Sequence, residues 1–374
     1  MAKIATYLDY NATAPTRAAV QEAVSKTLEG IGNPSSIHGA GRAVRDAIEV
    51  AREKVARLVH ASPDQVVFTS GGTEANHLAV QGASVQRHLI SAVEHDSIRG
   101  AVIDAEIVPV DGNGIADLKV LEGMLSVDPK PALVSIMMVN NETGVIMPIA
   151  DVSKIVHAHG SYLFSDAVQA AGKMTIDLGV LDIDYLTLSA HKLGGPMGVG
   201  ALILGPHAPY VVPTAGSGQE RGRRPGTENV PGIIGFGVAA EIAAESLEDF
   251  QKLAALRDQL EAGIRRITEE AHIFACAAPR VANTTLVSMP RVPSETQLAA
   301  FDLAGFAVSA GSACSSGKVD PSHVLLAMGV AEAVAATAIR ISLGWDSRTH
   351  DVTGFLKAWE SLYVRTRDRR VSAA

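Results

Sequence analysis

Short apolar runs alternate with amphipathic stretches over the first two-thirds of this 374-residue chain. VVFTS (66–70), HLISAV (88–93), EIVPV (106–110), ALVSIMMVN (132–140), YLFSD (162–166), YLTLSA (185–190) and GALILG (200–205) read as strands. Several are nearly continuous in apolar residues, as expected of strands covered on both faces. Helical periods lie between them. In HGAGRAVRDAIEVAREKVARLVH, Val44, Ile48, Val55 and Leu58 recur at helical spacing, and Ser-Pro-Asp then ends the helix. This alternation predicts an α/β domain with a largely parallel sheet.

The pattern changes near residue 255. A long amphipathic segment, LRDQLEAGIRRITEEA, leads into NTTLVSMP, then a helix and AVSAGSAC. The length also exceeds what one hydrophobic core usually supports. We therefore expect a large α/β domain over residues 16–254, and a smaller α+β domain formed by 1–15 with 255–374. The first fifteen residues, which include YLDYNATAP, are expected to pack near the active site or on the smaller domain; the pattern does not choose between them.

Composition narrows the class. Apolar residues make up 47% and charged ones 19%, an ordinary globular balance. A net charge of −8 argues against nucleic acid or an anionic membrane as a partner. No apolar run is long enough to span a bilayer, and MAKIATYLDY lacks the apolar core of a secretion signal. Two cysteines far apart, Cys276 and Cys314, fit a reduced, cytoplasmic protein.

Three stretches carry candidate chemistry. In TSGGTEANHLAV (69–80) a strand ends in glycines and a helix begins at once, so Gly72 and Thr73 could hold a phosphate on free N–H groups and the positive end of the helix dipole. A tight turn with Thr73 as a cap is the plainer reading. In SDAVQAAG (165–172), Asp166 falls where a strand ends, at the carboxyl edge where open α/β sheets bind ligands, although a surface aspartate is the commoner case. In LSAHKLGGPMGVG (188–200), Lys192 follows an apolar strand and precedes a glycine-rich turn, a position suited to a Schiff base with flanking polar groups for a phosphate. Together these are the parts that pyridoxal 5'-phosphate needs.

The two cysteines differ in context. SAGSACSSG (309–317) surrounds Cys314 with small residues that no core requires, whereas Cys276 in HIFACAAP reads as a buried strand residue. His157 and His159 point to different faces of a helix, so they read as a polar helix end and not a metal pair; His38 and His77 read as supporting or surface residues.

In order along the chain, YLDYNATAP, GNPSSIHGAGR, FTSGGTEAN, EHDS, NNETG, DAVQAAGK, SAHK, GQERGRRPGTEN, SAGSACSSGKVDPSHVL and IRISLG resemble the cysteine desulfurases of the NifS/IscS-like group, within the class V aminotransferases. They span residues 7 to 344. The resemblance implies the pyridoxal-phosphate-dependent transferase fold type I, like that of aspartate aminotransferase. It implies a reaction in which sulfur leaves L-cysteine, giving L-alanine and a persulfide on Cys314. By resemblance, Lys192 would hold the cofactor as a Schiff base and move protons at the substrate Cα. Asp166 would keep the pyridine nitrogen protonated, His95 would stack on the ring, and Gln169 would hydrogen-bond the ring oxygen. Asn141 would sit between that oxygen and the substrate. Gly72, Thr73, Ser189 and His191 would bind the phosphate, joined by Thr227 of the partner subunit of a homodimer. Arg340 would clamp the substrate carboxylate.

A cysteine among small residues is free to swing, so Cys314 would carry sulfur out to an acceptor, such as an iron–sulfur scaffold, a tRNA-thiolation protein or a DNA-modifying system. No intrinsic metal is implied, only transient iron–sulfur ligation through the Cys314 persulfide. The polar tail DRRVSAA is a further docking candidate. The chain departs from the family pattern at Phe164, often a histidine, and at Gly194, Met197 and Ser217. Rival activities on this fold are a selenocysteine lyase, a cysteine-sulfinate desulfinase, a class V transaminase and a partner-dependent sulfur-transfer subunit.

Overall fold

The computed structural model describes residues 6–311 and 321–371, with side chains to residue 367. After a two-residue strand, β1 (Thr6–Tyr7), come the seven strands of the main sheet. These are β2 (Val66–Thr69), β3 (Arg87–Ser91), β4 (Glu106–Val108), β5 (Ala132–Ser135), β6 (Tyr162–Asp166), β7 (Tyr185–Ser189) and β8 (Gly200–Leu204). Their order is β2-β8-β7-β6-β5-β3-β4. Neighbours from β7 to β4 run parallel, while β8 lies antiparallel to both β7 and β2. Each apolar run read from the sequence overlaps one of these strands, although β3 begins one residue before HLISAV and ends two before its end. The ALVSIMMVN run overshoots, because its strand stops at Ser135 and Ile136 and Met138 continue as single hydrogen bonds to the Phe164 and Asp166 carbonyls.

Every residue of β2, β5, β7 and β8 is buried, which is why their sequences show no alternation. The helix Gly39–Leu58 packs Ile48, Ala51, Val55 and Leu58 inward. Its inner face also carries Arg52, whose guanidinium bonds both carboxylate oxygens of buried Glu220 at 2.7 and 2.9 Å. Glu220 has a φ of +47° and accepts from the Phe68 N–H at 2.8 Å. Breaking one partner of such a buried pair costs about 3–5 kcal/mol. The pair fastens the segment around Gln219–Gly222 to β2.

A second buried cluster gathers Leu8, Leu260, Ile264, Val287, Phe301, Ile339, Ile341, Phe355 and Trp359. It surrounds strands β9 (His272–Ile273), β10 (Thr284–Ser288), β11 (Phe306–Ala307), β12 (Ser309–Ala310) and β13 (Ala338–Ser342). Four of them form an antiparallel sheet, β12-β13-β10-β9, and β1 joins β11 in parallel. Leu8 therefore sits in this second cluster, while Asn11, three residues on, reaches the cavity described below. The first residues do both things the sequence left open.

Cys276 corrects an expectation. It is exposed, in a turn that follows β9, not buried in a strand. The strand ends at Ile273, the φ of Ala275 is +56°, and the thiol bonds the Ile273 carbonyl at 3.1 Å. An apolar context of small residues cannot by itself separate a strand from the turn that leaves it. Among the described residues no single helix is long and apolar enough to cross a membrane.

Candidate active site

A cavity of about 410 Å³ opens beyond the carboxyl ends of β5, β6 and β7. The sequence-predicted Gly72, Thr73, His95, Asn141, Asp166, Gln169, Ser189, His191, Lys192 and Arg340 all line it. Thr227 does not; it lies exposed in the segment fastened by Glu220. Cys314 lies outside the described residues, although Ser309, Ala310 and Gly311, which lead to it, line the cavity wall. Phe164, the departure two residues before Asp166, is fully buried in the core and is not part of the lining.

One end of the cavity is built on strand termini. Gly71, with φ +154° and ψ −179°, turns β2 into the helix Gly72–Gly82 through a conformation open essentially to glycine alone. A Cβ on Gly72 would lie 3.1 Å from Val168, so a small residue lets the turn close down on the neighbouring strand end. The first N–H groups of that helix, the Thr73 and Ser189 hydroxyls and His191 share an adjoining recess. Burial, and then the Lys192 charge, push His191 down to about 4, so it is neutral at pH 7.

Asp166 ends β6 and is 8% exposed. It accepts from the Val168 N–H and from the Asn76 amide, both at 2.9 Å. Asn76 also donates to Ser97 at 2.8 Å, and Ser97 donates to His95 Nδ1 at 2.8 Å. With Nδ1 also accepting the Ser97 N–H, a neutral His95 carries its proton on Nε2. Among the described residues the buried Asn76 Oδ1 has no hydrogen-bond partner.

Lys192 stands between the two ends. Its amine donates to the carbonyls of Asn11 and Ala12 at 2.6 and 2.8 Å. Burial, and then the Arg340 charge, lower it to about 8, while Asp9 and Asp166 oppose the shift. Beyond it, Arg340 donates to the Asn141 carbonyl at 3.0 Å and to Asp9 at 2.8 Å, and its buried Nε has no partner among the described residues. That orphan leaves part of the guanidinium fork for an incoming carboxylate.

Gln169 lines the cavity, but its amide is engaged elsewhere: Nε2 donates to the Asn11 carbonyl and Oε1 accepts from Lys173. Lys173 is buried and also donates to Asn11 Oδ1 at 2.7 Å. Burial and the nearby Lys192 and Arg340 charges hold it well below the usual lysine range. Asn11, Asn76, Lys173 and Asp9 were not singled out from sequence. Each lies inside a quoted motif, at YLDYNATAP, FTSGGTEAN or DAVQAAGK, but the motif gives no sign that its flank reaches the site.

The donor set fits pyridoxal phosphate. A glycine-shaped turn at a helix start suits a dianion, Asp166 suits a protonated ring nitrogen, and a lysine near pH 8 suits bonding to an aldehyde. The aminotransferase class-V model matches residues 6–355 of the chain. The chain belongs to that family, which is pyridoxal-phosphate-dependent and of fold type I. Within it, the chain falls among the cysteine desulfurases of the NifS/IscS-like group. It is 42% identical to a cysteine desulfurase of Cereibacter sphaeroides over 90% of each chain. It is 39% identical to cysteine desulfurase IscS of Dictyoglomus turgidum, covering 96% of this chain and 95% of the relative. The solved NifS-like protein of Rickettsia africae superposes with a TM-score of 0.90 at 34% identity, over 96% of this chain and 99% of that one.

Proposed function

We propose that this chain is a working cysteine desulfurase that converts L-cysteine to L-alanine and keeps the sulfur as a persulfide on Cys314. The observation that carries the reading is the convergence of Asp166, His95, Lys192 and Arg340 on one cavity, with the Lys192 amine near pH 8. Pyridoxal phosphate, when bound, supplies an electron sink that weakens the bonds at the substrate Cα and Cβ. Gly72, Thr73, Ser189 and His191 would hold its phosphate, and Asp166 would accept from its ring nitrogen. Lys192 would take the Cα proton as a free amine, which its lowered proton affinity allows near neutral pH. Arg340 would orient the carboxylate. The Cys314 thiolate would attack the substrate sulfur, so one S–S bond forms as the C–S bond breaks, and the carbon skeleton leaves as alanine. No external oxidant is needed.

The same reading takes the protein to be a cytoplasmic homodimer in which Thr227 completes the partner's phosphate site. The exposure of Thr227 away from its own cavity supports this. The division into 16–254 and 1–15 with 255–374 is supported by the separate buried cluster that contains Leu8. The sulfur acceptor is an iron–sulfur scaffold or another thiolation protein. The test is to incubate purified protein with L-cysteine, assay alanine, and locate added sulfur by peptide mass spectrometry, with C314A and K192A alongside. Alanine with an adduct on Cys314, both lost in the two variants, is the expected result. A cofactor-loaded protein that makes no alanine and carries no adduct overturns the reading and turns attention to transamination.

A further inference from the structure

A second cavity, of about 390 Å³, lies behind Lys192 where the two buried clusters meet. Leu193 and Ala243 of the first cluster and Leu253 and Leu343 of the second give it apolar walls. Its charged lining is one-sided. Arg17, Lys173, Lys192, Lys252 and Arg348 share it with a single acid, Asp249, which Lys252 already pairs at 2.6 Å.

Arg17 is the cation left over. Its guanidinium carbon lies 3.8 Å from the centroid of the Trp345 ring, and the Tyr10 ring meets Trp345 edge-on at 5.2 Å. Stacking covers a face of the guanidinium but leaves its donors, which point outward in the plane, for another partner. No side-chain nitrogen of Arg17 has a hydrogen-bond or ion-pair partner among the described residues. The exposed Asp346 carboxylate supports the charge only through space. Gly194, where the chain departs from the family pattern, gives the stack its room. Its φ is +79°, and its carbonyl accepts from the Arg17 N–H at 3.0 Å. A Cβ there would come within 2.7 Å of the Trp345 ring and 3.0 Å of the Arg17 side chain.

We propose that this cavity is a second binding site, for a small aromatic carboxylate. Arg17 takes the carboxylate on its open edge, and Tyr10, Phe250 and Trp345 enclose the ring. The site is distinct from the one that Arg340 serves, because Arg340 does not line this cavity and Arg17 does not line the catalytic one. Lys192 alone is common to both linings, so the occupant rests directly behind the reactive lysine. The site stands whether or not the desulfurase reading does.

The test titrates cofactor-loaded enzyme with 4-azidobenzoate by calorimetry in the dark, beside its neutral amide, 4-azidobenzamide, and sulfate, which lacks the ring. We expect saturable binding of the carboxylate, binding of the amide weaker by about ten-fold or more, and no displacement by an equal concentration of sulfate. Arg17→Met should weaken the carboxylate about ten-fold or more, and Arg340→Lys should leave it within about two-fold. Photolysis of the bound probe and peptide mapping then locate it in the unaltered enzyme, so a variant that fails to fold does not decide the matter. Labels should fall on Tyr10, Phe250 or Trp345, and not on Met137, Val139 or Asn141 of the catalytic cavity. The absence of saturable binding, equal binding of the amide, undiminished binding by a folded Arg17→Met variant, or labels in the catalytic cavity instead overturns the site.

Discussion

At one end of the cavity every group comes from the rim of a single sheet, and at the other from segments up to 331 residues apart. Thr73, Asp166, Ser189 and His191 follow the ends of β2, β6 and β7, whose ladders already fix their spacing. Arg340 lies in β13, but Asp9, Asn11 and Asn141 meet it across the fold, through the Arg340–Asp9 ion pair, the Arg340–Asn141 contact and the Asn11 amide on Asn141 and Thr284. The first end is a product of secondary structure. The second exists only once the two buried clusters have closed on each other, so damage there should alter substrate handling without loosening the cofactor.

Five measurements bear on that contrast. Asp166→Asn strikes the sheet-built end hardest: it keeps an oxygen for Asn76 but cannot hold a protonated ring nitrogen. We expect alanine production to fall by roughly 100-fold or more, while cofactor is still retained. Lys192 lies between the ends. In cofactor-free protein its lowered value, about 8 against 10.5, leaves roughly 300-fold more free amine at pH 7 than an ordinary lysine has. Reductive methylation by formaldehyde, mapped by mass spectrometry, should therefore rise with pH and level off above about 8 at Lys192, unlike at the exposed lysines. Labelling still climbing at pH 10 would refute it. The same shift makes the folded protein bind fewer protons than the unfolded chain. Stability should rise between pH 8 and 10.5, where the folded amine is already neutral and the unfolded one is still losing its proton.

Arg340→Lys tests the long-range end: loss of the planar fork should raise KM for L-cysteine about ten-fold, with cofactor affinity unchanged. A comparable loss of cofactor would mean the two ends are not separable. Thr73→Ala gives the smallest effect. It removes one neutral hydroxyl from the phosphate recess, worth about 1 kcal/mol, so cofactor affinity should weaken about five-fold with KM for L-cysteine untouched.

The same division explains what could be read from sequence. Four of the seven sheet strands, β2, β5, β7 and β8, show as apolar runs because both faces are covered, and the residues at the strand ends inherit a position from the strand before them. Asp166 and Lys192 were legible for that reason. Asn11 and Lys173 were not, since their roles depend on a meeting between residues 11, 169, 173 and 283 that no local pattern encodes. Gln169 shows the limit of transfer by resemblance: it lies at the expected wall, but its amide bonds Asn11 and Lys173. Cys276 was misread because a strand of two residues is too short to impose a period.

Asn11 also sets a timetable. The Thr284 hydroxyl it bonds is made 273 residues after it. At 5–20 residues per second that is a wait of roughly 15–55 s. The main sheet has all its strands by residue 204, long before the strap that receives the Lys192 amine can dock. Nascent chains arrested before residue 284 should therefore hold a folded sheet and a reactive lysine with nowhere to rest it. Productive cofactor loading becomes a late event, timed by the arrival of the C-terminal strands.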